Sequence, residues 1–191
     1  MAHDWDACAA EWEQEQSVNE YAELAFQELK KIAELKGKRF FDFGCGTGLL
    51  SEKIAPLAKD IVALDASEAM IEELDKKLLE NVEPVVDHLS RGLVAQHPAF
   101  RGQFDCVVAS SVCGFLEDFE TAAEIIYTLL DKGGLFVHWD WLAQDNSDGL
   151  SEARVKKVLL GAGFEEVSVS VPFEVETGQG KFSVIMGVAE K

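Results

Sequence analysis

The sequence predicts an α/β fold: a mostly parallel sheet covered by helices on both faces. Short apolar runs rich in Phe, Val and Ile alternate with segments of helical periodicity. Turn residues punctuate the changes, and one turn, in Phe41-Asp-Phe-Gly-Cys-Gly-Thr-Gly48, is unusually rich in glycine. With 191 residues, 48% hydrophobic and 27% charged, the chain is long enough to bury one proper core. It is read as one domain over 1–191, with 1–36 a helical cover and 37–191 the α/β core.

Ser17-Val-Asn-Glu20 has capping-box spacing, and Ala22, Ala25, Phe26, Leu29, Ile32 and Ala33 follow at helical intervals until Gly37. Arg39 to Phe43 reads as a buried strand. Leu49 to Ala55 suits a helix that ends near Pro56. The alternation then repeats. Ile61 to Leu64 is strand-like, and Ser67 caps a helix carrying Met70, Ile71, Leu74 and Leu78. Val85-Val86 is a brief strand, Phe104 to Ala109 another, and Phe119 to Leu130 a helix. Gly133-Gly134 turns into a strand over Leu135 to Trp139. A helix from Ser151 to Leu160 leads through Gly161 and Gly163 to a strand over Phe164 to Val171, and Phe182 to Ala189 is the last strand. Ala143 to Gly149 reads as a loose connection, and Phe173 to Gly180 links the final two strands at an end the sequence leaves open.

Charge narrows the partners. Thirty-five acidic against 17 basic side chains leave a net charge of −18, and no run of Lys or Arg exceeds two residues. Such a field repels nucleic-acid phosphates and anionic lipid surfaces, so a small-molecule ligand, or a partner with a basic surface, is expected. Residues 1–20 carry six acids and no apolar stretch of signal-peptide type, and the longest mostly apolar run, Cys106 to Leu116, is too short to span a bilayer. Cys8, Cys45, Cys106 and Cys113 form no CxxC pair and adjoin no His cluster in sequence. Reduced thiols in a cytoplasmic protein without a bound metal are the expectation. Oligomeric state leaves no trace in the sequence.

Gly44, Gly46 and Gly48 fall between a strand and a helix start, where ligands of open parallel sheets bind. Bare backbone there exposes N–H groups and admits a ligand closely. Two ligand classes compete. Dinucleotide sites read G-x-G-x-x-G, whereas the third glycine here comes one residue early and Leu49 stands at the dinucleotide position. Asp42, two residues before the first glycine, would repel a pyrophosphate and suit an ammonium or sulfonium. A nicotinamide-dependent oxidoreductase therefore stays the weaker alternative.

These residues resemble the class I S-adenosylmethionine (SAM)-dependent methyltransferases. Asp42 to Gly48 is similar to the first motif of that family, and Val62-Ala-Leu-Asp65-Ala-Ser67, with Met70 following, to the second. Val86-Asp87-His88 resembles a third acidic position, and Phe104-Asp105-Cys-Val-Val108 the fourth motif. Leu130 to Leu135 and Leu160 to Phe164 resemble the turns before the fifth and sixth strands. The likeness runs in order from about residue 37 to the end. It implies a Rossmann-like three-layer sandwich with a seven-stranded sheet whose last strand is antiparallel. It also implies SAM as donor, S-adenosylhomocysteine (SAH) as product, and a small-molecule acceptor. Asp42, Gly44 and Gly46 would border the methionine part, with Gly48 closing the turn. Asp65 would accept the ribose hydroxyl protons, Ala66 and Met70 would flank the adenine, and Asp87 with His88 would meet its amino group. Ser110 would face the sulfonium, with Ser111 on the acceptor side. Gly48 and Met70 also suit plain packing.

The donor carries the reactive group, so a general base is optional. His138 and Asp140, at the end of the fifth strand, are the catalytic candidates, with a structural role as their alternative. Many members carry a His-containing segment after the fourth strand; Ser111-Val-Cys-Gly-Phe115 stands there instead. This departure keeps open a non-catalytic SAM- or SAH-binding protein of the same fold. Trp5, Trp12, Trp139 and Trp141 are candidate lid or acceptor-pocket residues, with core anchoring as the other reading.

Overall fold

The computed structural model describes residues 4–143 and 149–191. Its seven-stranded sheet has the order β3-β2-β1-β4-β5-β7-β6. The strands are β1 (Arg39–Phe43), β2 (Asp60–Asp65), β3 (Val82–Val86), β4 (Phe104–Ser110), β5 (Leu130–Trp141), β6 (Glu166–Thr177) and β7 (Gly180–Glu190). β1 to β5 pair in parallel, and β7 runs antiparallel to both β5 and β6. Only the last strand is reversed, as expected.

Alternation along the strands feeds two cores. Phe41, Phe43, Val107, Ala109 and Phe136 point to one face, covered by α6 (Phe119–Leu129) and α7 (Glu152–Gly161). Phe40, Cys106, Val108, Val137 and Trp139 point to the other, covered by α2 (Gln16–Ile32) and α3 (Leu49–Ile54). α4 (Glu68–Asp75) buries Met70, Ile71 and Leu74 and starts at Ser67, whose hydroxyl accepts the Met70 N–H at 3.1 Å.

Several local expectations change. α2 starts at Gln16 with no side-chain cap, so the Ser17 capping box does not form; Asn19 instead donates to the carbonyls of Glu13 and Glu15. Two short helices escaped the sequence reading, α1 (Trp5–Cys8) with a 3₁₀ turn over Ala9–Gln14, and α5 (Arg91–Gln96). Neither spans enough turns to show a periodicity. Gly133 and Gly134 lie inside β5, where the chain end holds them: the Gly133 N–H donates to the Lys191 carbonyl and the Lys191 N–H to Gly134. The link at Phe173 to Gly180 is mostly strand, and β6 and β7 form a hairpin closed at Gly178-Gln179. The expected loose connection at Ala143 to Gly149 falls, over 144–148, outside the described residues. Among the described residues, no helix is long and apolar enough to cross a membrane.

Candidate functional site

The carboxyl ends of β1, β2 and β4 open onto a cleft of about 830 Å³. Its floor is the glycine turn. The Gly44 and Cys45 N–H groups both donate to the Leu64 carbonyl, at 2.8 and 3.0 Å, which ties the turn to β2. Gly44 has φ +67°, and a Cβ there would lie 2.5 Å from a methyl of Val112. The turn can therefore nest under the β4–α6 connection only as glycine. Gly48 has φ +81° and starts α3, but a Cβ there would strike Leu74 at 2.3 Å. Gly48 does not line the cleft, so its requirement is helix–helix packing, and its placement among the cofactor residues is corrected.

Two carboxylates flank this floor. Asp65, at the tip of β2, accepts the Gly46 N–H at 2.8 Å on one oxygen and the Ser67 N–H at 2.9 Å on the other. Each oxygen keeps a lone pair for a ligand hydroxyl. Burial raises its pKa against those hydrogen bonds. Asp42 is buried, and Ser51 of α3 donates to it at 2.6 Å. Desolvation first, and the Asp65 charge after the opposing Ser51 bond, push its pKa up to about 7. The Thr47 hydroxyl, in the same wall, is buried without a partner. Unpaired buried polar groups of this kind are costly unless a ligand meets them. Ala66, Met70, Asp87 and His88 also line the cleft; the Asp87 carboxylate accepts the neighbouring His88 N–H at 2.7 Å.

The opposite wall belongs to the chain after β4. Ser110 and Ser111 line it, and Ser111 takes φ +60°, a costly conformation for a residue with a side chain. Its N–H donates to the Trp139 carbonyl at 2.7 Å, which holds the bend in place. Across the mouth, Trp5 stacks edge-on against Phe115 (5.4 Å) and Trp12 (5.7 Å). The segment carrying both tryptophans is fastened from outside: Asp6 accepts the Ser67 hydroxyl proton, and Lys77 pairs with Glu13 and Glu52 at 2.7 and 2.8 Å. Trp141 lines the cleft beside Tyr21, with ring centroids 5.1 Å apart.

Three further expected residues do not reach this cleft. Trp139 is fully buried in the core on the α2 side, because it alternates with His138 along β5. His138 is fully buried on the other face between Phe119 and Phe136, with its Nε2 against Gly187 and unpartnered. Its Nδ1 lies 2.7 Å from Asp140 Oδ2, while Asp140 Oδ1 accepts the Gly114 N–H at 2.8 Å. The pair therefore works as a strut from β5 to the Cys113–Phe115 turn. Neither side chain lines the space above the glycine turn, although Asp140 borders a second cavity of about 510 Å³ beside Phe115 and Trp141, so the catalytic expectation for His138 and Asp140 is corrected to positioning the turn.

The fold also brings ligand atoms of Cys113, His138 and Asp140 within 4.8 Å of one another, although the cysteines adjoin no His cluster in sequence. Asp140 pairs with His138 Nδ1 and accepts the Gly114 N–H, so a cation bound through that nitrogen would have to displace the strut. Burial and the Asp140 charge raise the Cys113 thiol, and burial with the Asp42 and Asp65 charges raises Cys45. Neither is a nucleophile near neutral pH. Sequence reasoning missed Tyr21, Thr47, Val112 and Phe115. Helical periodicity marked position 21's neighbours as core, and nothing in the sequence pairs Val112 with Gly44.

Residues 41–136 match the family described as Methyltransferase domain. A ubiquinone biosynthesis O-methyltransferase of Paraburkholderia phymatum is 31% identical over 142 residues, which take in 70% of this chain and 56% of that relative. Its counterpart in Aromatoleum aromaticum is 28% identical over 136 residues, with the same shares. The chain thus spans about half the length of the curated relatives it matches. Among solved structures, a DhpI–SAM–HEP complex superposes with TM-score 0.74 at 20% identity, over 98% of this chain and 94% of that one. A putative methyltransferase in complex with the Haloferax volcanii Trm112 activator reaches 0.79 at 16% identity, over 100% and 98%.

Proposed function

The chain belongs to the methyltransferase-domain family, and from that premise we propose that it binds SAM in this cleft and methylates a small molecule. The observation that carries the reading is the pair of acids, Asp42 and Asp65, flanking a glycine turn in a cleft with no lysine or arginine among the described residues of its wall. A pyrophosphate would meet two carboxylates and no cation; an adenosyl amino acid with a sulfonium meets complementary charge. The unpartnered Thr47 hydroxyl and the free lone pairs of Asp65 fit the polar edges of such a ligand.

When bound, SAM supplies a methyl group on a sulfonium whose transfer leaves neutral SAH. The chain's part is to orient and to exclude water. Asp65 would hold the ribose hydroxyls, Ala66 and Met70 would flank the base, and Asp87 with His88 would stand at its far edge. Trp5, Trp12 and Phe115 cover the mouth. The His138–Asp140 strut sets the height of the Cys113–Phe115 turn above the floor. In this reading residues 1–36 serve as cover and 37–191 as the binding core.

A non-catalytic SAM or SAH binder is the second reading, favoured by the withdrawal of His138 and Asp140 from the cleft. Calorimetric titration with SAM, SAH and NAD separates the ligand classes: SAM and SAH should give saturable heats and NAD none. Transfer of labelled methyl from SAM across a broad acceptor panel then decides between enzyme and binder. Saturable NAD binding with no response to SAH would overturn both readings.

A further inference from the structure

Building on SAM binding in this cleft, we infer that its acceptor half takes a molecule that is uncharged or positively charged on an apolar or aromatic body. Carboxylate- and phosphate-bearing acceptors are excluded. Among the described residues, five acidic side chains line the cleft: Asp42, Asp65 and Asp87 on the donor side and Glu117 and Asp118 beyond it, with no lysine or arginine in either half. The residues outside the described set, 1–3 and 144–148, contain neither cation in sequence. Glu117 and Asp118 lead into α6 on the acceptor side. The Thr121 N–H and side chain hold the Asp118 carboxyl below its usual range, so it stays ionised near neutral pH.

The rest of that half is aromatic. Tyr21 meets Trp141 edge to face, and the half-exposed Phe115 lines the rim, so this wall suits an apolar body or a cation. Tyr21 adds a hydroxyl that is buried and unpartnered, and that burial, with Asp140 and Cys113 nearby, keeps protonated. It offers a neutral hydrogen bond and no charge. An anion entering here would leave water, meet acidic side chains and find no lysine or arginine among the described residues in return. The overall charge of −18 acts the same way at longer range.

The test uses three phenyl compounds of matched size: 2-phenylethylamine, 2-phenylethanol and 3-phenylpropanoate. Each is titrated into the full chain saturated with SAH, which lacks the sulfonium and carries no net charge, and binding is read by saturation-transfer NMR. The amine and the alcohol are expected to bind at least tenfold more tightly than the carboxylate. Phe115→Lys, at a half-exposed rim position, is expected to raise affinity for the carboxylate at least fivefold. A carboxylate that binds the unaltered chain as well as the alcohol overturns the inference, as does contact from none of the three or no gain in Phe115→Lys. Failure of SAH itself to bind by calorimetry is a separate readout, and it removes the donor reading together with this one.

Discussion

Replacing Gly44 by alanine probes the contact that joins the glycine turn to the wall after β4. Two costs add. An L-residue held at φ +67° costs about 1–2 kcal/mol. The new Cβ would also stand 2.5 and 2.8 Å from the two methyls of Val112, and a branched side chain seated in the wall cannot swing away. Overpacking of that kind costs about 1–3 kcal/mol, so Gly44→Ala should lose about 2–5 kcal/mol in urea unfolding. Val112→Ala alone should lose about 1–2 kcal/mol through its missing methyl groups. In the double variant the steric part vanishes and the backbone part stays, so the combined loss should fall short of the sum by about 1–3 kcal/mol. A Gly44→Ala loss under about 0.5 kcal/mol, or strict additivity in the double variant, would refute the packing argument.

Asp42 holds its proton to about pH 7 in the fold but only to about pH 3.9 in the unfolded chain. Between those values the folded state binds the extra proton, so stability falls as pH rises through that window and stays lower above it. Asp42→Asn should remove up to about 4 kcal/mol of that fall, at about 1.4 kcal/mol per pH unit; stability curves of the two proteins that stay parallel from pH 4 to 8 would contradict it. A bound cation favours the ionised carboxylate, so SAM affinity should climb over the same interval in the unaltered protein and not in Asp42→Asn. Asp65→Ala removes the acceptor of two backbone N–H groups and of the proposed ribose contacts; calorimetry should show at least a tenfold weaker SAM complex, about 1.4 kcal/mol. Asp140→Ala strands the Gly114 N–H and His138 Nδ1 in the core, and thermal unfolding should report a loss of about 1–3 kcal/mol or more. Acceleration of amide exchange at Gly114 and Phe115 in that variant, beyond exchange in the rest of the sheet, is the reading that a strut requires.

Local pattern by itself determined most of the scaffold. Apolar runs at strand length, helical periodicity and Ser67 before Met70 act through neighbours a few residues apart, and each element they marked is present. The glycine spacing and the acids at positions 42 and 65 located the floor of the cleft for the same reason: a strand tip and the turn after it are one continuous stretch. Short elements were illegible. Four residues at Trp5–Cys8 or six at Arg91–Gln96 hold too few turns to impose a period, and their helicity comes from what they rest on. Tertiary structure alone decided the wall opposite the glycine turn. His138 and Trp139 differ by one step along β5, and only the layers packed above and below dictate that one enters each core and neither meets the cleft. Gly44 against Val112, Asp140 against Gly114 and Trp5 against Phe115 join positions 26 to 110 residues apart, a relation that depends on three-dimensional closeness rather than on any spacing in the chain.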